Sequence, residues 1–483
     1  MTFNSVAFLI FYPIVALLYF ALPKKAKWPM LLIASYYFYM FYEAELVFLI
    51  LITTLISWIS SRIIEKTEKK RVKNLFLVLT LTVSLGILFV YKYLGFLFDS
   101  FLGIAELLGF ERPDIVINLV LPVGISFYTF QTLSYVIDVY RGRIKSESNF
   151  FFYALFVSFF PQLVAGPIER PENLIPQLRE AHRFDRDNFN RGMRVMLLGF
   201  FKKICVADLL SLYVTAIYNA PDGATGLGVI IATLLFAVQI YCDFSGYTDI
   251  ATGCARIMGI RLMKNFDHPY TASSIKEFWS RWHISLSSWF RDYLYIPMGG
   301  NRTSRMRHMF NLFFVFLISG LWHGANWTFV IWGALHGIYQ IVGNTTRGSR
   351  DRLIERLGFD VKGRGVLILR RSLTFALVTF AWLFFRANSI SDAFTLLGKI
   401  FMNFGSVSAT LEIMGLGVKE LLAVLFAIIT LLFIDRLVDY SERDSAEALT
   451  ANGSLVYYVY IVAIVWIYLL SLGVESSFIY FRF

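Results

Sequence analysis

The sequence predicts an all-α polytopic membrane protein, and three observations carry that prediction. Hydrophobic residues fill 57% of the 483 positions while Asp, Glu, Lys and Arg together fill only 16%, outside the usual range for a soluble domain. Apolar runs recur along the whole length, many of them near the ~20 residues a spanning helix needs. The basic residues gather in short polar stretches between those runs, as the positive-inside rule requires. About eleven to thirteen membrane helices are expected, some re-entrant, around a central tunnel and with short interfacial helices on the cytosolic side.

The runs fall at roughly 6 to 22, 29 to 42, 45 to 61, 75 to 91, 94 to 110, 115 to 139, 149 to 165, 192 to 217, 226 to 249, 309 to 341, 369 to 385, 417 to 435 and 455 to 473. The first lacks a basic n-region and a small-residue cleavage site and is expected to stay as an anchor. Lys24, Lys25 and Lys27 come after it, then Lys66, Lys69, Lys70, Arg71 and Lys73, then Arg141, Arg143 and Lys145, with Glu43 and Glu45 in an intervening turn. This alternation puts the amino terminus outside the cytosol. It also accounts for the net charge of +11, so nucleic acid is not an expected partner.

A further basic block from Arg170 to Lys203 also reads as cytosolic, although only the run at 149 to 165 separates it from the basic loop of Arg141, Arg143 and Lys145. That run ends in FFPQLVAGPIERP, where Pro161, Gly166 and Pro167 interrupt a helix. A re-entrant segment reconciles the two blocks, tolerated where protein or water covers the freed backbone. Cys205, Cys242 and Cys254 are spaced for neither a disulfide framework nor a metal knuckle, and no metal site is expected.

Residues 274 to 300 form the most informative stretch outside the spans. Ser274 and Glu277 have capping-box spacing, and Ile275, Phe278, Trp279, Trp282, Leu286, Trp289, Phe290 and Tyr293 recur every three or four residues. The pattern is one amphipathic helix with an aromatic face, lying at the cytosolic interface. His283 falls on that aromatic face, where it is either a satisfied core histidine or a reacting group.

His323 has a different setting, SGLWHGANWTF, between two apolar stretches each too short to span. Gly320 and Gly324 flank it and Asn326 is placed to cap the second stretch, so a helix broken at His323 is expected. It lies ~24 Å along the axis from Arg307, deep in a hydrocarbon layer about 30 Å thick. Polar breaks at that depth line cavities. Trp322 flanks this break, and His336, with Trp332 and Gln340 one turn either side, continues on the second half. In AVQIYCDFSGYTDIATG, Gln239 and Asp243 share a helix face and Asp249 lies on another; buried carboxylates there are a lock with basic residues or the lining of a tunnel.

The segments YCDFSGYTDIATGCARIMGIRLMKNFDHPY, SIKEFWSRWHISLSSWFRDYLYIPMGGNR and SGLWHGANWTFVIWGALHG, the FFRA at Phe384 to Ala387 and the terminal SSFIYFRF resemble the membrane-bound O-acyltransferase family, in its bacterial alginate O-acetylation branch. LPVGISFYTFQTLSYVIDVYRG and FFPQLVAGPIERP extend the resemblance into the amino-terminal third. Cys254 stands where the family pattern continues with glycine after Gly253.

The resemblance implies one membrane domain, with amino-terminal helices over 1–140, a catalytic core over 141–350 and carboxyl-terminal helices over 351–483. It implies residence in the bacterial cytoplasmic membrane, in contact with lipid, and transfer of an acyl group, acetyl foremost, from a cytosolic thioester donor to a hydroxyl beyond the membrane. The donor is acetyl-CoA or another acyl-CoA or acyl carrier, with no resident cofactor. The acceptor is a polysaccharide, reached through an extracytoplasmic SGNH-type partner. The family's near-invariant histidine falls on His323 and its upstream position on His283.

The chemistry of the residues agrees: a thioester attacked by an alcohol needs a neutral base, and burial keeps imidazole neutral. His323 would take the hydroxyl proton. His283 would orient the donor or hold the oxyanion, beside Trp282 and Ser285, with Arg281, Arg291, Arg302 and Arg305 meeting the donor's phosphates at the cytosolic mouth. Two other functions stay open: D-alanyl transfer to teichoic acid from a carrier protein, and a polymer or acyl-carrier channel that catalyses nothing.

Overall fold

The computed structural model describes residues 1–437, apart from Tyr42, Arg112, Asp114, Val116, Asn118, Val164 and Ala165, together with Ile479. The apolar run at 455 to 473, and the terminal segment other than Ile479, lie outside the described residues. Within them every regular element is helical, as expected where backbone groups in lipid must be satisfied within one segment. The protein is an all-α polytopic membrane protein. Its chain forms two compact units, Met1–Met196 with Ile250–Met263, and Leu197–Asp249 with Lys264–Phe483.

The first unit begins with α1 (Val6–Ala21), whose N-cap Ser5 accepts from the Phe8 amide. Phe8, Tyr12, Val15 and Tyr19 form its buried stripe while Leu9, Ile10, Ile14 and Leu17 stay exposed, the division of a helix packed on one side and in lipid on the other. Next come α2 (Lys24–Met40), α3 (Val47–Lys66) and α4 (Lys70–Leu88). The packed face of α3 is built from Thr53, Thr54, Ser57, Ser60 and Ser61, small residues that let helices approach closely.

A π-helical turn at Phe89–Tyr93 joins α4 to α5 (Leu94–Leu107). The runs at 75 to 91 and 94 to 110 are therefore one helix of 38 residues. Nothing in the sequence between them is a breaker, and the π turn absorbs the extra residue without interrupting the helix.

After α6 (Ile125–Tyr140), α7 (Phe150–Ser158) and α8 (Phe160–Leu163) divide the run at 149 to 165. The break lies at Phe159, two residues before Pro161, which instead occupies the first turn of α8, where its missing N–H costs nothing. Then come α9 (Pro171–Arg179) and α10 (Arg186–Phe200). Gln177 exchanges two hydrogen bonds with the Arg261 backbone, at 2.8 and 2.9 Å, and Glu169 accepts from the Met263 amide.

In the second unit a π-helical stretch, Phe201–Asp208, leads into α11 (Leu209–Tyr218). The long α12 (Gly226–Ile257), whose residues as far as Asp249 belong to this unit, carries Gln239, Asp243 and Asp249. Two short helices, α13 (Ile275–Arg281) and α14 (Ile284–Phe290), continue through a π turn at Arg291–Tyr295. They precede a hairpin of α15 (Arg305–His323) and α16 (Trp327–Arg356). Last come α17 (Arg364–Arg386), α18 (Ile390–Met402), α19 (Val407–Met414) and α20 (Val418–Leu437).

By length and composition, four helical stretches among the described residues can cross a membrane: Ala44–Lys66, Lys70–Leu107, Gly226–Ile257 and Arg364–Arg386. The pair α19 and α20, bent by 83°, makes a fifth if it is one span. The runs at 75 to 91 and 94 to 110 make one of these stretches, the run at 6 to 22 is the shorter apolar helix Val6–Ala21, and the run at 455 to 473 lies outside the described residues.

Candidate active site

The site is assembled within the second unit by the α13–α14 segment and the α15–α16 hairpin. Ser274 caps α13 by accepting from the Glu277 amide at 3.1 Å, as its spacing predicts. The single amphipathic helix expected over this stretch is in fact two. Trp282 turns to an extended conformation and His283 adopts left-handed φ 45°, ψ 54° before α14 begins. The periodicity survives the break because both short helices bury the same aromatic face, so spacing alone does not reveal it.

A non-glycine residue in that conformation costs about 1–2 kcal/mol, and Asn265 supplies what offsets it. Its backbone carbonyl accepts from the Ile284 amide at 2.9 Å. Its side-chain Oδ1 receives the Ser285 amide at 3.2 Å, the Ser285 hydroxyl at 2.9 Å and His283 Nδ1 at 3.1 Å. The Ser285 amide can only donate, so the Asn265 atom facing it is the oxygen. His283 must then carry its proton on Nδ1. In the neutral ring Nε2 holds the lone pair, which is the wrong polarity for an oxyanion and the right one for accepting a hydrogen bond.

His283 is fully buried, and desolvation pushes its imidazole down to about 3, so it is neutral at pH 7. Its ring sits edge-on to Phe244 at 4.6 Å and 6.5 Å from the His323 ring, centroid to centroid.

His323 ends α15 and is 2% exposed. The helix breaks there as expected, and Asn326 caps α16 by accepting from the Thr328 amide at 3.0 Å while donating to the Asn388 carbonyl at 3.0 Å. Those two bonds give Asn326 a structural task. Around His323 stand Trp322 and Trp332, each 5.0 Å away, and Phe385 at 5.4 Å. The hairpin closes tightly beneath it: a Cβ at Gly320 would meet the Phe329 carbonyl oxygen, and one at Gly333 the Phe316 carbonyl oxygen. Hairpin closure thus fixes Trp332 against His323.

His336 lies one turn beyond Trp332, with its ring 4.9 Å from it, and its Nδ1 accepts from Trp279 Nε1 at 3.1 Å. Its proton is therefore on Nε2, which has no hydrogen-bond partner among the described residues, as is also true of Trp282 Nε1 and Trp332 Nε1. Trp282 packs among Phe278, Phe266 and Trp382 at 5.1 to 5.5 Å.

Trp279 is also one wall of a half-open, mainly apolar cavity of about 140 Å³, lined further by Leu286, Phe290, Val315, Phe316 and Ser319, with Arg291 among its polar members. Cavities near 150 Å³ with such linings hold a benzene-sized group. The arginines differ in setting: Arg281 is bonded to Glu277 at 2.6 Å, Arg291 is on the cavity, and Arg302 and Arg305 are exposed.

Asp243 and Asp249 are locks. Lys203 bonds Asp243 at 2.6 Å and Asp208 at 2.8 Å, and Lys202 bonds Asp249 at 2.8 Å. The other oxygen of Asp243 accepts from the Ile479 amide at 2.7 Å. Gln239 lies one turn before Asp243, and its Oε1 has no hydrogen-bond partner among the described residues. Asn265 escapes a reading of the sequence because its role depends on a loop returning beside His283, which no periodicity records.

Comparison with known proteins identifies the family of the chain. The family model of MBOAT, the membrane-bound O-acyltransferase family, matches residues 31–352. A probable alginate O-acetylase AlgI of Pseudomonas aeruginosa is 40% identical over 413 residues, 84% of this chain and 76% of that protein. A peptidoglycan O-acetyltransferase of Helicobacter pylori is 35% identical over 434 residues, 83% of this chain and 80% of its own. A teichoic acid D-alanyltransferase of Bacillus subtilis is 27% identical over 277 residues, 56% of this chain and 69% of its own. The chain is an acyltransferase and belongs to the membrane-bound O-acyltransferase family.

Proposed function

We propose that the protein moves an acetyl group from acetyl-CoA in the cytosol to a hydroxyl on an extracytoplasmic polysaccharide, through an SGNH-type partner that completes the transfer. The observation that carries this reading is the buried His283–His323 pair, 6.5 Å apart, in a chain whose O-acetylating relatives match more than four fifths of its length. The D-alanyltransferase likeness covers little more than half, so the acetyl reading is preferred.

In the proposed reaction one nitrogen of His323 takes the proton from the acceptor hydroxyl. That oxygen bonds to the thioester carbonyl carbon, the carbon–sulfur bond breaks, and the proton passes from His323 to the departing thiolate. A positioned base contributes typically ~10²–10⁴ in rate. The cavity beside Trp279 takes a benzene-sized part of the donor's slender arm, with Arg291 at its wall facing the donor's anionic groups. Under the positive-inside reading the amino terminus is extracytoplasmic, in the bacterial cytoplasmic membrane, and Arg302 and Arg305 face the cytosol. The test is acetyl transfer in membrane vesicles by purified wild-type protein and by His323→Ala: loss of transfer with normal membrane insertion supports the reading, and undiminished transfer rejects it.

A further inference from the structure

Asn265 belongs to no motif of titratable residues, yet it binds the turn at His283 through both of its oxygens. Its carbonyl and side-chain oxygens together hold the amides of Ile284 and Ser285, the Ser285 hydroxyl and His283 Nδ1. Asn265 is almost wholly buried, and its amide nitrogen has no hydrogen-bond partner among the described residues. Such a residue spends its acceptor capacity on one strained turn, and backbone strain kept by surrounding structure is characteristic of functional sites.

We propose that Asn265 is a positioning residue for acyl transfer, fixing His283 in the tautomer protonated on Nδ1 so that His283 offers Nε2 as an acceptor beside His323. This rests on the proposed function, in which the two histidines flank the reacting atoms. Rings 6.5 Å apart are too distant for a direct bond between their nitrogens, so His283 acts on His323 through one bound hydroxyl that bonds to both, each bond about 2.6–3.2 Å long. That hydroxyl donates its O–H to Nε2 of His283, and its oxygen accepts from an N–H of His323. The other nitrogen of His323 is left with its lone pair, ready for the acceptor hydroxyl. Asn265 thus acts on His323 through His283, as a third group orients the base in nucleophilic sites.

The tautomer is measurable in the wild-type protein by solid-state NMR with ¹⁵N-labelled histidine, the His283 signals being assigned by their loss in His283→Gln. Protonated Nδ1 with bare Nε2 is expected; a protonated Nε2 overturns the proposal. Kinetics in inside-out vesicles give a second arm. Asn265→Leu is expected to lower kcat about 10²-fold, with KM for acetyl-CoA within about twofold, since misplacement of a reacting group costs about that much. Asn265→Asp keeps an acceptor oxygen and is expected to recover kcat to within about tenfold of wild type.

A folded Asn265→Leu with wild-type kcat, or an Asn265→Asp no better than Asn265→Leu, overturns the proposal. If Asn265→Leu does not insert, the NMR result decides alone. Failure of the underlying function looks different: transfer then survives His323→Ala whatever the tautomer of His283.

Discussion

Gly333→Ala should separate the packing of the hairpin from its chemistry. A Cβ there falls on the Phe316 carbonyl oxygen and close to the Cα of Gly320, atoms of a backbone that cannot swing aside, so α15 and α16 must part locally. Overpacking of this kind costs about 1–3 kcal/mol, while alanine gains about 1 kcal/mol over glycine inside a helix. The net loss of stability is then only about 0–2 kcal/mol.

Activity is far more exposed, because Trp332 is the preceding residue and its ring is 5.0 Å from His323. A shift of about 1 Å at a reacting group costs on the order of 10²-fold. The assay pairs thermal unfolding in detergent with the rate of acetyl transfer. Gly343→Ala on the same helix is the control, since nothing lies within 4 Å of the added carbon; it should be slightly stabilising and fully active. Wild-type activity in Gly333→Ala would refute the claim that hairpin closure sets the site.

Three further outcomes are expected. Glu169, in the loop before α9, is raised to about 7, burial outweighing its bonds to the Met263 amide and Asn173. Its folded pKa exceeds the unfolded one, so its contribution to stability is complete below about 4.5 and is lost as pH rises through about 7, up to about 3 kcal/mol. The unfolding temperature should therefore fall between about pH 4.5 and 7 in wild type and much less in Glu169→Gln; equal slopes would refute the assignment. Lys202→Met should cost about 3–5 kcal/mol by leaving Asp249 buried without its cation, and the added change Asp249→Leu should regain most of it; a double variant no more stable than the single one would contradict the lock. Val315→Trp, which fills the cavity beside Trp279, should raise the KM for acetyl-CoA about tenfold with unchanged thermal stability, equivalent to about 1.4 kcal/mol; an unchanged KM would remove the donor arm from that cavity.

Local signals in the sequence are legible where they act within one turn. Ser274 and Asn326 cap the helices their spacing indicates, and Gly324 ends α15 directly after His323, because cap geometry needs only neighbouring residues. The division of the aromatic helix at His283 is not legible, since the strain there is offset by Asn265, eighteen positions upstream. For Asp243 and Asp249 the sequence leaves a lock and a tunnel lining open and names no partner, because the pairing depends on a π-helical stretch that turns Lys202 and Lys203 inward together. His336, on the second half of the broken helix, accepts from Trp279 Nε1, a contact across two elements that spacing along the chain does not record.

The central claim is that His323 moves the proton in acetyl transfer. It is tested most directly by following labelled acetyl from acetyl-CoA into extracytoplasmic acceptor across vesicles carrying wild type or His323→Ala at equal abundance. The account predicts a fall of about 10²–10⁴ in the variant's initial rate. Equal labelling by the two proteins would contradict it.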